Sequence, residues 1–288
     1  MKDRPLVVVV GPTASGKTAL AISMAKKYGG EIICADSRTV YRHMDIGTAK
    51  PTSDEQGQVP HWGIDLVDPD DTFSVADFKM YADKKIREIR RRGHVPFLVG
   101  GSGLYVDAVL FDYQFGPPSD PSVRQKLEGM PVDELQQFCT SNAIQLPRNL
   151  MNKRHLIRAI EQKGINNQRN DTPLNNSLII GIQTDSDDLR TRIRTRGEKM
   201  VRNGLLQEAK TLAEQYGWES QSMTGNVYPI CRKYSLGEIS SDELVERIIV
   251  QDRHLAKKQM TWFRRNKYIE WFSLKDAEKR IRVVLDSE

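Results

Sequence analysis

The most regular feature of the chain is an alternation between short, continuously apolar runs and longer stretches with an apolar residue every third or fourth position. "LVVVV" (6–10), "EIICA" (31–35), "VPFLVG" (95–100) and "LIIGIQ" (178–183) are runs of the first kind. Rich in β-branched residues and lacking a polar face, they predict strands covered on both sides, as in a parallel sheet. A helix is expected from Gly16 to about Tyr28, with Gly29 and Gly30 as its stop. A second opens at Ser74, with Asp77 in a capping-box position, Phe78, Ala82, Ile86 and Ile89 as its apolar stripe, and Gly93 as its end. "GSGLYVDAVL" (101–110) reads as a turn entering a short helix. Strands and helices that alternate in this way imply right-handed crossovers and a parallel sheet.

The pattern changes at "GPPSDP" (116–121), after which only short helices are expected to about residue 163. A polar loop, "GINNQRNDTPLNNS" (164–177), then leads back to the strand at 178. The expected organisation is an α/β core of residues 1–116 and 176–288, interrupted by a helical insertion at 117–175. Beyond it, helices are expected over 186–202, 205–216 and from Asp242 to about Asn266, with "YIEWF" (268–272) as a last strand. "IDLV" (64–67) is a further candidate strand, following a long polar loop that begins "MDIGTAKP" (44–51).

Composition adds a partner class and removes several others. Of 288 residues, 43 are Lys or Arg and 38 Asp or Glu, a net charge of +5. Much of the positive charge sits in three runs, 84–92, 190–202 and 253–267. Each could be a solvated helix face; together, and with Trp262 and Phe263 inside the last, they point toward nucleic acid. Cys34, Cys139 and Cys231 lie far apart without a CxxC or Cys/His pairing, which argues against zinc and against a disulfide framework. The first apolar run is too short for a signal segment and no stretch is long enough to span a bilayer, so a cytoplasmic protein without a membrane partner is expected.

The chemistry begins at "GPTASGKT" (11–18), between the first strand and the first helix. Gly11, Gly16, Lys17 and Thr18 fit G-x-x-x-x-G-K-[ST]. Here backbone N–H groups, with those of Thr13, Ala14 and Ser15, converge on a phosphate chain at the positive end of a helix. Lys17 adds a mobile charge, and Thr18 a hydroxyl for Mg²⁺. The motif makes the expected fold a P-loop NTPase-like parallel sheet flanked by helices. It binds a di- or triphosphate without saying which. Asp36 ends the second strand and would point toward this loop, as a turn residue or as a carboxylate that accepts a proton.

"GPTASGKT", "DSRTVYRHMDIGTAKP", "SVADF", "VGGSGLY" and "QMTWFRR" occur in this order across nearly the whole chain. Together they closely resemble the bacterial tRNA dimethylallyltransferases. The resemblance implies that the loop holds the diphosphate of dimethylallyl diphosphate. The acceptor it implies is the N6 amine of the adenine 3′ of the anticodon, in tRNAs whose anticodon ends in adenine. It further implies Asp36 as general base, Arg196 on the diphosphate and Ser102 near the reacting centre, where the family usually has threonine. For the anticodon stem-loop it implies Asp36, Ser37, Arg38, Thr39, Ser102, Arg124, Arg154, His155 and Arg158. A monomer is expected.

The chain departs from the family pattern at "NVYPICRKY" (226–234), where Val227 replaces a glycine and Pro229 commonly an arginine, and at Thr39, where many members have glutamine. Three alternatives share the phosphate loop: an adenylate isopentenyltransferase or a small-molecule kinase, neither of which needs the basic insertion, and a non-catalytic RNA-binding protein, which does not need Asp36.

Overall fold

With no polar side to turn to water, the four apolar runs form the middle of a wholly parallel sheet. In the computed structural model, which describes residues 4–116, 120–147, 149–162, 168–225 and 227–287, the sheet has six strands. They are β1 (Leu6–Val10), β2 (Gly30–Cys34), β3 (His61–Trp62), β4 (Val95–Gly100), β5 (Ser177–Ile182) and β6 (Glu270–Phe272), in the spatial order β3-β2-β4-β1-β5-β6. Val10 pairs with Gly100 and Gly181, and Cys34 with Val99. The carboxyl ends of β1, β2 and β4 therefore lie side by side, and the loops that follow them leave from one edge.

The helices are α1 (Lys17–Tyr28), α2 (Ser53–Gln56), α3 (Val75–Arg91), α4 (Gly103–Leu110), α5 (Pro121–Gly129), α6 (Val132–Ser141), α7 (Lys153–Glu161), α8 (Ser186–Arg202), α9 (Leu205–Tyr216), α10 (Tyr228–Ser235), α11 (Ser241–Phe263) and α12 (Leu274–Asp286). Ser74 and Asp77 form the expected capping box of α3, and Phe78, Ala82, Ile86 and Ile89 are its buried stripe. Gly29 caps α1 in the left-handed conformation, where its missing Cβ removes the steric cost.

The chain divides into two units, Met1–Val109 with Leu174–Glu288, and Leu110–Pro173. In the first, Val7, Val9, Ile32, Phe97, Val99 and Ile180 pack against Leu20, Met24 and Ile281 from α1 and α12. A further cluster of this unit joins Tyr41 and Met44 to Leu205, Leu212, Tyr228 and Ile248. In the second, α5, α6 and α7 close on Leu127, Leu135, Cys139, Leu156, Ile157 and Ile160. The junction expected at residue 117 and the expected loop residues 164–167 lie outside the described residues. All three cysteines are free and buried.

Some expectations are corrected. "IDLV" is not a strand: the edge strand is His61–Trp62, and Val67 makes only an isolated bridge to Tyr41. Trp62 holds the edge because its indole N–H donates to the buried Glu31 carboxylate at 2.7 Å. Helices α10 and α12 were not anticipated. The basic run at 84–92 is partly engaged within the fold. Lys85 meets Glu88 and the Trp62 ring, Arg90 donates to the Arg4 carbonyl, and Arg92 pairs with Glu31. Lys84, Arg87 and Arg91 of the same run are exposed. Among the described residues no helix is long and apolar enough to cross a membrane.

Gly100 marks how closely β2 and β4 approach at the edge, for a Cβ there would lie 2.0 Å from the Ala35 carbonyl oxygen. Because that neighbour is backbone it cannot step aside. Gly100→Ala is expected to lower stability by about 1–3 kcal/mol in urea unfolding; an unchanged midpoint would show that the edge has slack.

Candidate active site

The phosphate loop connects β1 to α1 with three residues in the left-handed half of backbone space or close to it: Gly11 (φ 153°), Ala14 (φ 62°) and Gly16 (φ 88°). Gly16 is the N-cap of α1, and no side chain caps the first turn. The initial amides of the helix are left for a ligand, at the end where the helix dipole favours negative charge. Lys17 donates to the Pro12 carbonyl at 2.9 Å. Burial first, and then the nearby Arg196, pull the Lys17 ammonium down to about 8, against an opposing pull from Asp36. An anion between Lys17 and Arg196 would relieve both effects.

Two helices hold this loop from outside. On α8, Arg192 and Arg196 are four residues apart and share a face. Arg192 donates to the Ser15 carbonyl at 3.4 Å, and Arg196 donates to the Thr13 hydroxyl. Arg196 is not a solvated helix arginine: its Nε lies 3.3 Å from the buried Asp252 carboxylate of α11. Burial pushes that carboxyl above its usual range, against the pull of Arg196. Also on α11, the side-chain oxygen of Gln259 accepts from the Thr13 N–H at 2.7 Å, and its amide nitrogen lies against Gly101. Gln259 thereby ties the loop after β1 to the loop after β4.

Neither Asp252 nor Gln259 was singled out from the sequence. The available signal is their spacing: they are two helical turns apart and fall in the buried stripe with Ile248, Ala256 and Phe263. A polar residue at a core position of a helix needs a partner, and here the partners are the phosphate loop and its arginine.

Asp36 follows β2 and faces the same cavity as Lys17 and Thr18. This cavity of about 240 Å³ is lined by residues 13–18, Asp36, Thr39, Thr48, Gly100, Gly101, Arg196 and Gln259, with Ile32, Cys34, Val99, Ala49, Pro51 and Leu255 as apolar walls. One Asp36 oxygen accepts the Arg38 N–H at 2.8 Å, which fixes the carboxylate's direction. Ser102 braces the turn, its hydroxyl accepting the Ser37 N–H at 3.0 Å. The buried Thr39 hydroxyl donates to the Asp36 carbonyl at 3.4 Å. Arg38 donates to the Ser222 carbonyl and its guanidinium lies against Gly225.

The remaining candidates lie on the helical unit. Arg124 pairs with Glu128 and Glu161, and Arg158 with Glu161, whose carboxylate is buried between them. Arg154 and His155 are exposed on α7. On α11, Arg253, His254 and Lys257 line an open groove together with Arg190 and Ile193 of α8. Phe263 belongs to the core, whereas Trp262 is half-buried, its indole donating to Asp107 at 2.7 Å.

The altered segment also has a local account. Val227 is buried with φ −88°, so no glycine is needed there, and Tyr228 and Pro229 open α10, in the turn where a missing N–H costs nothing. Asn226 lies outside the described residues.

A parallel sheet that presents an arginine-braced phosphate loop and a carboxylate on one cavity defines a phosphate-loop protein of the α/β class. Comparison with known proteins is specific beyond that. The IPP transferase family pattern matches residues 39–266 and an isopentenyl transferase pattern matches residues 5–60. The tRNA dimethylallyltransferase of Bacillus mycoides is 38% identical, over 97% of this chain and 93% of the relative. That of Limosilactobacillus fermentum is 40% identical, over 93% and 92%. Among solved structures, the tRNA isopentenylpyrophosphate transferase of Bacillus halodurans superimposes with a TM-score of 0.75 at 36% identity, over 99% of this chain and 98% of that one. A eukaryotic dimethylallyltransferase acting on tRNA, 22% identical with a TM-score of 0.83 and 79% of its chain covered, shares the fold. The chain belongs to the IPP transferase family.

Folded Lys17 loses its proton near pH 8, against 10.5 when unfolded. Between those values the unfolded chain binds more protons, so stability rises with pH across that window and the penalty is complete below pH 8. Lys17→Met is therefore expected to raise the Tm of the ligand-free protein most below pH 8. The gain should fade toward pH 10.5, while binding of inorganic diphosphate weakens. Thermal unfolding across pH, with calorimetric titration, checks both; a pH-independent gain would contradict the assignment.

Proposed function

We propose that the protein is a tRNA prenyltransferase. In this reading it transfers a dimethylallyl group from dimethylallyl diphosphate to the N6 amine of the adenine 3′ of the anticodon, in tRNAs whose anticodon ends in adenine, and releases diphosphate. The observation that carries the reading is the shared cavity, in which Lys17 and Arg196 face Asp36 between apolar walls, in a chain of this family. Ala49 and Pro51 add apolar surface beside the phosphate loop, which suits a five-carbon chain.

The adenine amine is a weak nucleophile because its lone pair is delocalised into the ring. The bond between the allylic carbon and the diphosphate oxygen breaks as the bond from N6 to that carbon forms, and N6 gives up a proton. The loop amides at 13–18, with Lys17 and Arg196, stabilise the charge that leaves with the diphosphate. Asp36 takes the proton as general base, its free oxygen aimed by the Arg38 N–H and its turn braced by Ser102. Enclosure between the apolar walls positions the two reactants.

The donor set suits Mg²⁺. The Thr18 hydroxyl and Asp36 carboxylate line the cavity, and among the described residues no group of three His, Cys, Asp or Glu forms a cage. Mg²⁺ takes most of its ligands from substrate phosphates and water, so Thr18 is the protein ligand this chain would provide. When bound, the ion supplies neutralising charge at the diphosphate. The anticodon stem-loop is held by the turn at Asp36, Ser37, Arg38 and Thr39 and by the helical unit, where Arg154 and His155 are open to it and Arg124 and Arg158 stand beside Glu161. The enzyme acts as a monomer in the cytoplasm.

The test is transfer of labelled dimethylallyl groups to unmodified tRNA in the presence of Mg²⁺. One tRNA carries adenine at the anticodon's last position and the position after it, and a second lacks both. Label is expected in the first alone. Label in AMP or ADP instead would establish a small-molecule transferase, and no transfer to any acceptor would refute the reading.

A further inference from the structure

The "MDIGTAKP" segment (44–51) supplies Thr48, Ala49 and Pro51 to the cavity wall, yet it belongs to no helix or strand. Its backbone is costly. His43, just before it, and Ala49, near its far end, have φ of 63° and 50°, a region that side chains with a Cβ disfavour. Three successive amides turn the same way in its middle, those of Asp45, Ile46 and Gly47. Amides that converge in this way make a site for one outside acceptor, and the buried Gly47 requires one.

That partner is Glu208, from α9. One carboxylate oxygen accepts the Asp45 and Ile46 N–H groups at 2.8 and 2.7 Å. The other accepts the Gly47 N–H at 2.8 Å and the Tyr228 hydroxyl at 2.9 Å. Gly47 is glycine because the Tyr228 ring occupies the place of a side chain: a Cβ would lie 2.6 Å from it. Lys50 anchors the far end, buried and donating to the Tyr41 carbonyl and to Asp45 and Asp65.

We propose that Glu208 is a positioning residue for the prenyl-binding wall: by gripping the amides of 45–47 it sets Ala49 and Pro51 against the five-carbon chain of the substrate. The inference rests on the prenyltransferase reading given above. It separates two parts of one ligand. The diphosphate is held by residues 13–18 and Arg196, none of which touches Glu208, whereas the hydrocarbon depends on the loop. Glutamine cannot substitute, since its amide nitrogen would face N–H donors.

The experiment compares wild type with Glu208→Ala and Glu208→Gln in the tRNA transfer assay. It reads the KM for dimethylallyl diphosphate, kcat, and the inhibition constant of inorganic diphosphate. KM is expected to rise about tenfold, the scale of disordering a few wall side chains, with a smaller change in kcat and the diphosphate constant within about twofold. A general loss of structure would weaken both ligands together. Either that result or an unchanged KM overturns the proposal.

Hydrogen exchange provides a reading independent of catalysis. In wild type the amides of 45–47 are expected to be protected, and in Glu208→Gln to exchange faster while those of β1 do not. Free exchange of these amides in wild type overturns the clamp even if neither variant folds. Absence of transfer by wild type would instead refute the prenyltransferase reading, and exchange would still decide whether Glu208 holds the loop.

Discussion

Everything at the site depends on the parallel register of three strands. Because Val10 stands beside Gly100, and Val99 beside Cys34, the chain leaves β1, β2 and β4 at one level of one edge. The phosphate loop, the Asp36 turn and the Gly100–Ser102 turn have no choice but to meet. An antiparallel sheet would send alternate loops to opposite edges. The glycines at the edge extend the same constraint to the backbone, since the Ala35 carbonyl fills the space a side chain at Gly100 would need.

The edge brings the loops together, and the two helices behind it make them stiff. Arg192 and Arg196 of α8 reach the Ser15 carbonyl and the Thr13 hydroxyl, while Gln259 of α11 takes the Thr13 N–H. Asp252 balances Arg196 from behind. A loop so braced has its amides held in place, so in the proposed reading less ordering remains to be done when a diphosphate binds. The cost is visible in Lys17, whose ammonium is made more acidic by burial and by the neighbouring Arg196.

The sheet was legible in the sequence because both-sided burial leaves an unmistakable run of apolar residues, as in 6–10 and 95–100. So was α3, where the capping box and the stripe from Phe78 to Ile89 agree. The edge strand was missed because His61 and Trp62 carry no such run; the Glu31 carboxylate holds Trp62, and that partner is distant in sequence. Helix α10 was obscured by its own proline, which reads as a breaker until its place in the first turn is known. At the site, the phosphate loop and Asp36 were readable from spacing and strand ends. Gln259, Asp252 and Glu208 were not, because each acts on backbone or charge contributed by another part of the chain.

The central claim is a division of labour across one cavity, with Lys17 and Arg196 holding the leaving diphosphate and Asp36 taking the proton. It is tested most directly by Asp36→Asn, which keeps the size of the side chain and its bond from the Arg38 amide. Single-turnover transfer to tRNA should fall by about 10²–10⁴-fold, the range of a lost general base. Affinity for inorganic diphosphate should hold or tighten as the opposing charge disappears. A rate that survives, or a diphosphate affinity that falls in step with the rate, would contradict the account.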